Sequence, residues 1–583
     1  METSNLSKIR REKMLETIND LKKNITDEKT LTNLSLIENE LTKKKYGLIW
    51  EEHQERVDKE LETQIPTFEE IKDKEIAPCE NDKFNFLLEG DNLHSLYLLE
   101  KTHKEKIDVI YIDPPYNTGK EDFIYNDKMI DSLDGYIHSK WLSFMEKRLK
   151  IAKELLNDYG LIMISIDENE FSQLKLLCDD ILGEQNRLSS HHVQVRYGNK
   201  SLNEDNDWQP VMEYVLIYAK NKFLFKANKP AKPYDLLKFC YKITELSAGQ
   251  EINVGNKKVT IFKDGEWMIE KSEGKIGLLK ETWASGSIVK QSGTAAEFLS
   301  KYLIQRKKND GLNVLYKIDN MGEDGLGYRY VTGPKKEDAI RGKFYSGVPL
   351  NRVEEIESGN GSMKTHPISN FYDFSGDFGN IRHEGNMPFN SGKKPVKMLK
   401  ELINYHKNKN AIVLDFFAGS GSTAQAVLEL NQEDNGNRKF ILCTNNENNI
   451  CEDITYKRIL NVINGYGKYK EIPSNLKYYR CTYIQRINTE KENLHSNLLI
   501  NIKNLIQLEN SIEVDDNIIR IYLDENELDK FSNNQEELNI CDKVYISSDI
   551  LLTSKQEKTF KDNNIEVYII PEYYFKDEIM EVM

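Results

Sequence analysis

Short apolar runs alternate with segments of helical spacing along two separate stretches of this chain. In the first stretch, Phe84-Asn85-Phe86-Leu87-Leu88 reads as a strand running into Glu89-Gly90-Asp91-Asn92-Leu93. A helix over 93–103 leads to strand 108–112, whose apolar run Val109-Ile110-Tyr111-Ile112 is the mark of a strand buried on both faces. Trp141 to Leu156 has apolar positions at i, i+3, i+4 and i+7 and predicts a helix. Gly160 punctuates the turn before strand 161–166, and helix 171–182 and strand 211–218 follow. Between about 222 and 385 the rhythm is lost in a segment rich in Gly, Lys, Ser and aromatic residues, read as an irregular insertion. It returns with helix 394–406, strand 411–414, a glycine turn, helix 422–430 and strand 439–443. Such a β-α-β rhythm predicts a parallel sheet with helices on its faces, here interrupted and then completed. After about 485, strands at 518–523, 543–546 and 565–570 predict a small α/β module. The first 60 or so residues are charged, with Leu and Ile at loose helical spacing, and read either as a solvated helical pair or as a dimerisation element.

Composition narrows the function classes. At 583 residues the chain holds more than one domain. A net charge of -15 excludes a protein that coats nucleic acid indiscriminately, but not an enzyme whose basic surface is confined to a cleft. The seven cysteines contain no C-x-x-C pair, so neither a zinc site nor a disulfide framework is expected, and a reducing cytoplasm fits. No apolar segment is long enough to span a bilayer, so no membrane partner is expected.

Two constellations carry chemistry. Asp113-Pro114-Pro115-Tyr116 ends the run 108–112, where open α/β sheets bind ligands. The prolines have fixed φ and no N–H, so their carbonyls, and that of Asp113, are expected to face a substrate. A carboxylate, a carbonyl and an aromatic ring suit a planar group bearing an –NH2. The second constellation, Asp415-Phe416-Phe417-Ala418-Gly419-Ser420-Gly421-Ser422-Thr423, follows strand 411–414 and opens a helix. It lacks the third glycine of the dinucleotide fingerprint and the lysine of a P-loop, which disfavours NAD and nucleoside triphosphates. Asp91 and Glu447, at the ends of other strands, are placed to accept hydrogen bonds from an amine or a ribose. These features suit S-adenosylmethionine, which has ammonium, ribose and adenine groups but no phosphate. Taken singly, each is an ordinary turn or strand terminator; together, at strand ends of one rhythm, they point to a site.

In this order the motifs resemble the amino-methylating DNA methyltransferases of the β arrangement. The runs GDNLHSL, KIDVIYIDPPYNTGKEDFIYND, GKKPVKMLKELI and VLDFFAGSGSTAQAVLELN are similar to the modification subunits of Type III restriction-modification systems. The resemblance implies a Rossmann-like S-adenosylmethionine-dependent methyltransferase sheet. Its catalytic half would be 66–221 and its cofactor half 386–485, with a target recognition domain inserted over 222–385. An N-terminal helical segment (1–65) and a C-terminal α/β module (486–583) complete the expected organisation. It also implies roles. Asp113, Pro114, Pro115 and Tyr116 would hold a flipped adenine for methylation at N6. Asp91, Lys394, Pro395, Asp415, Phe416, Phe417, Ala418, Gly419, Gly421, Thr423 and Glu447 would bind S-adenosylmethionine, with the choice among Asn445, Asn446 and Glu447 at the ribose left open. The implied partners are duplex DNA, a second copy in a homodimer and a helicase-nuclease restriction subunit. Alternatives are an N4-cytosine enzyme, a methyltransferase acting on RNA or on a protein glutamine, a non-catalytic specificity subunit and a solitary methyltransferase. Lys220, Lys222, Lys226, Lys229, Lys232, His191, His192 and Arg196 are candidates for phosphate contacts. Trp208, Trp267 and Trp283 are expected in cores rather than as base wedges.

Overall fold

The structure, a computed structural model, describes residues 6–42, 50, 53–80, 83–118, 124–125, 128–129, 137–199, 207–358, 362–387, 393–485, 501–514, 518–522, 524–547, 550–570 and 574. Parts of the expected N-terminal helix (1–5, 43–49, 51–52), of the tetrad run (119–123, 126–127) and of strand 518–523 (residue 523) lie outside these. The chain forms two compact units, Lys229–Ile368 and the remainder, Met1–Asn228 with Ser369–Met583.

The larger unit is built on a ten-stranded sheet. Its strands are β1 (Gln64–Glu70), β2 (Phe84–Glu89), β3 (Ile107–Ile112), β4 (Leu156–Ile166), β5 (Arg187–Gln194), β6 (Met212–Ala219), β7 (Phe371–Asp373), β8 (Ile412–Asp415), β9 (Lys439–Thr444) and β10 (Asn475–Gln485). In space the order is β1-β10-β2-β9-β8-β3-β4-β6-β5-β7. Strands β2, β3, β8, β9 and β10 run parallel to their neighbours in the centre. Every residue of β2, β3 and β9 is buried, because helices cover both faces.

Helices of this unit include α1 (Asn92–His103), α2 (Ile137–Leu155), α3 (Phe171–Cys178), α4 (Val396–Ile403), α5 (Ser422–Asp434) and α6 (Lys457–Asn464). Leu96 and Leu99 of α1 and Trp141, Met145 and Leu149 of α2 pack with Ile110, Ile112, Ile162 and Ile164 of the sheet. Each such side chain contributes about 1.5–3 kcal/mol through burial. Buried Asn85 stitches three central strands together. Its amide donates to Ser474 Oγ (2.9 Å) and the Asn475 carbonyl (3.0 Å), and its oxygen accepts from Phe440 N (2.9 Å).

Connectivity decides where a ligand can sit. From β3 the chain steps outward through β4 towards β5; from β8 it steps the opposite way, through β9 towards β10. These two strands are neighbours, Val413 opposite Val109 and Leu414 opposite Ile110. That is a topological switch point, where the connections diverge and open a crevice at the carboxyl edge. Strand β6 runs antiparallel to β4, with Tyr214 opposite Ile166, so its amino end arrives at this same edge.

Four sheet strands escape the sequence pattern. Strand β1 contains Pro66, β5 reads RLSSHHVQ, β7 is three residues long, and β10 is rich in tyrosine. The C-terminal strands, Ile519–Tyr522, Lys543–Ile546 and Glu566–Ile569, form a separate parallel sheet as expected.

Unit 229–368 is more regular than its composition suggests. It carries an eight-stranded sheet, antiparallel throughout. Its strands are short, and apolar residues lie on both faces, which hides the two-residue alternation: Val259, Ile261 and Val331 pack on one side, Trp267, Tyr330 and Tyr345 on the other. Of the three tryptophans expected in cores, only Trp267 is buried. Trp208 stands in the loop between β5 and β6 at 88% exposure, and Trp283 is 60% exposed with Lys343 over its ring at 4.6 Å.

Candidate active site

The tetrad leaves β3 at the switch point. Trp141, wholly buried on α2, donates its indole N–H to the Pro115 carbonyl (2.7 Å). This corrects the expectation that both proline carbonyls face a substrate: the one at 115 is spent on holding the turn. Asn117, at φ 59°, closes the turn. Its amide donates to Glu170 (2.5 Å), which is buried at the head of α3 and also meets His138 (2.6 Å).

The remaining groups converge on Asp113. Tyr116 Oη lies 2.9 Å from Asp113 Oδ1 and 3.0 Å from Glu213 Oε2, so its one proton is shared between two carboxylates. Lys394 Nζ lies 3.0 Å from Asp113 Oδ2, 3.4 Å from Glu213 Oε2 and 4.9 Å from the centre of the Tyr116 ring. Burial pushes the Asp113 carboxyl up, against the pull of Lys394. Burial also works against the Lys394 charge, but Asp113 and Glu213 outweigh it and hold its pKa above the usual lysine value. Glu213 arrives because β6 brings its amino end to this edge. An acid inside the otherwise apolar run 211–218 was the signal available in the sequence. Lys394, assigned to the cofactor by resemblance, is placed by the structure on the tetrad's carboxylate. Pro395 precedes α4, whose first N–H is capped by Glu384 (3.1 Å).

The glycine turn lies across the crevice, on β8. Asp415 accepts from Thr423 Oγ1 (2.6 Å) and Phe417 N (3.0 Å), so both of its oxygens shape the turn. Burial raises its pKa to about 7, and the charge of Asp113 adds to the effect. Phe416, Ala418 and Thr423 are buried, and Phe417 is half-buried with its ring 5.9 Å from that of Phe144. Gly419 and Gly421 have φ of 47° and 73°. A side chain at 421 would come within 3.1 Å of Thr455 Cγ2, so the position is held for glycine twice over.

Asp91 caps α1 by accepting from Leu93 N (2.8 Å), and it lies 3.6 Å from Arg148. Asn92 ties this corner to the turn, donating to the Phe416 carbonyl (3.0 Å) and accepting from Arg148 Nε (2.6 Å). No local pattern in the sequence marks Asn92 or Arg148 for this role. Beyond β9, Asn446 caps the next helical segment, accepting from Cys451 N and Glu452 N (3.1 and 3.2 Å), while Asn445 and Glu447 are exposed. The structure thus gathers Asp91, Phe417, Gly419 and Gly421 at one corner of the crevice, with the tetrad beside them.

The positive-φ turn, open backbone at Gly419 and nearby carboxylates fit a nucleoside with a cationic amino-acid tail better than a phosphate. Several candidate phosphate contacts are otherwise engaged. His191 is buried between Ser189 and Tyr405, and burial pulls its pKa to about 4. Lys220 donates to the Lys153 carbonyl (2.5 Å) and Lys222 to that of Arg187 (3.1 Å). Among the described residues no helix is long and apolar enough to cross a membrane.

The DNA methylase family model, of N6 and N4 type, matches residues 107–457. The chain is 30% identical over 463 residues to the Mod subunit of the Type III restriction-modification enzyme EcoPI of Escherichia phage P1, covering 72% of this chain and 66% of that protein. It is 28% identical over 447 residues to the EcoP15I Mod subunit of Escherichia coli, covering 71% and 66%. It is 29% identical over 420 residues to the Type II methyltransferase M.KpnI of Klebsiella pneumoniae, covering 70% and 89%. The match thus spans just under two thirds of these Mod subunits. Among solved structures, the cytosine-N4-specific PvuII DNA methyltransferase aligns at 11% identity with a TM-score of 0.29, covering 66% of this chain and 89% of that one. With the family match running from the tetrad strand through the glycine turn to the helix beyond β9, this chain belongs to the N6/N4 DNA methylase family.

Proposed function

We propose that this chain methylates the N6 amine of adenine at a specific sequence in duplex DNA, with S-adenosylmethionine as donor, as the modification and specificity subunit of a Type III restriction-modification system. The observation that carries the reading is the meeting, at the β3–β8 switch point, of the Asp113 carboxylate and the glycine turn at 419–421, with a Lys394 ammonium already set against that carboxylate. A place that receives one N–H donor beside an aromatic ring suits another. When bound, S-adenosylmethionine supplies an electrophilic methyl group; Asp91, Phe417, Gly419, Gly421 and Glu447 would hold it.

The chain's own residues do the rest. The target amine is buried in the duplex, so the base is flipped out at a cost of roughly a few kcal/mol. Stacking on Tyr116 offsets about 1–3 kcal/mol of that. Asp113 and the Pro114 carbonyl accept from the amine, turn its lone pair out of conjugation and aim it, so that positioning lowers the barrier. The carboxylate also stabilises the positive charge growing on the nitrogen. Asp at the head of the tetrad favours adenine over cytosine N4 by family resemblance. The eight-stranded unit would read the target sequence, and the exposed Met14, Leu21, Leu36 and Ile37 of the N-terminal helices support self-association. A helicase-nuclease restriction subunit is the proposed partner and the cytoplasm the proposed location. The test is transfer of labelled methyl groups to DNA from a methylation-free host: Asp113→Ala should abolish transfer and retain cofactor binding, and transfer at the wild-type rate refutes the assignment.

A further inference from the structure

Two carboxylates and one ammonium share a nearly closed space beside the tetrad. Asp113 and Glu213 compete for the single Tyr116 proton, and Lys394 bridges them over the Tyr116 ring. Other charged or titratable groups face this cluster. Tyr111, below it on β3, turns its hydroxyl to Ser165 (2.8 Å), and Asp415 acts from β8. Without a cation, two carboxylates held this close share a proton rather than both ionising. A protonated Asp113 would lose acceptor capacity just where the incoming amine needs it.

We propose that Glu213 and Lys394 are positioning residues of the methyl transfer: Lys394 keeps Asp113 ionised, and Glu213 shares both the Lys394 ammonium and the Tyr116 proton, so that Asp113 keeps a lone pair for the target amine. This rests on the reading of the site as an amine methylase. Lys394 lowers the Asp113 pKa and Glu213 raises it, so the two have opposite signs on the acid limb of activity. With Lys394→Met, kcat at neutral pH falls by roughly 10²-fold and the acid limb moves to higher pH. Adding Glu213→Gln to Lys394→Met removes the repelling charge and moves the limb back down. Glu213→Gln alone moves the limb below that of the wild type while lowering kcat, because Lys394 and the Tyr116 proton then pair with Asp113 alone.

The experiment measures methyl transfer by the full chain to DNA from a methylation-free host across pH, with S-adenosylmethionine binding measured by calorimetry for every variant. Unchanged cofactor binding together with limbs that move up, and back in the double variant, supports the proposal. Limbs that coincide in wild type, Lys394→Met and the double variant overturn it. Loss of cofactor binding by Lys394→Met with an unmoved limb for Glu213→Gln also overturns it, and returns Lys394 to the cofactor. An inert wild type overturns the functional reading and this inference with it, whereas an active wild type with unmoved limbs overturns only this inference.

Discussion

Trp141→Phe separates the support of the tetrad from its chemistry. The indole N–H is donated to the Pro115 carbonyl at 2.7 Å, and the side chain is wholly buried. Phenylalanine keeps an apolar ring on α2 but has no donor. The stranded carbonyl costs about 1–3 kcal/mol. Replacing the indole by the smaller ring leaves a void, worth about another 1–2 kcal/mol if the site relaxes only in part. The unpinned turn carries Asp113 and Tyr116, and a shift of about 1 Å in such a constellation can cost 10²-fold in rate. Among the described residues no hydrogen bond joins the glycine turn to Trp141 or Pro115, so cofactor affinity should hold. The assay pairs urea unfolding, followed at the larger unit, with kcat and S-adenosylmethionine Kd. Lower stability, a kcat reduced on the order of 10-fold or more and an unchanged Kd are expected. Unchanged stability and kcat would show that this bond does not hold the tetrad.

Gly421→Ala places a side chain at φ 73° and within 3.1 Å of Thr455; at about 1–2 kcal/mol of backbone cost, it should weaken cofactor binding in calorimetry, whereas Ser420→Ala should leave the backbone of the turn intact. Asp415 has a folded pKa near 7 against 3.8 for an ordinary carboxyl. The folded chain therefore holds more protons than the unfolded one between those values, and stability falls as pH rises through that window. Asp415→Asn should flatten this part of the stability–pH curve, as read from urea midpoints between pH 4 and 7, and an identical slope in the variant would contradict the assignment.

The sequence made the central strands legible because β3 and β9 are buried on both faces, which leaves unbroken apolar runs no loop would carry. It hid β5, whose polar run Ser189 to His192 holds a buried His191 that is partnered from far along the chain by Tyr405. Pro66 disguised β1, an outer strand with a single partner, where a missing N–H costs little. At the site, the tetrad and the glycine turn were visible because they are local. The bond from Trp141 to Pro115, the convergence of Glu213 and Lys394 on Asp113, and the clamp of Arg148 on Asn92 join residues far apart in sequence, and no local pattern encodes them.

The most direct test is long-read sequencing of the genome of a methylation-free host that expresses either this chain or its Asp113→Ala variant. N6-methyladenine at one recurring motif is expected with the wild type and none with the variant. Modified bases that persist in the variant, N4-methylcytosine in place of N6-methyladenine, or an unmarked genome with the wild type would each contradict this expectation.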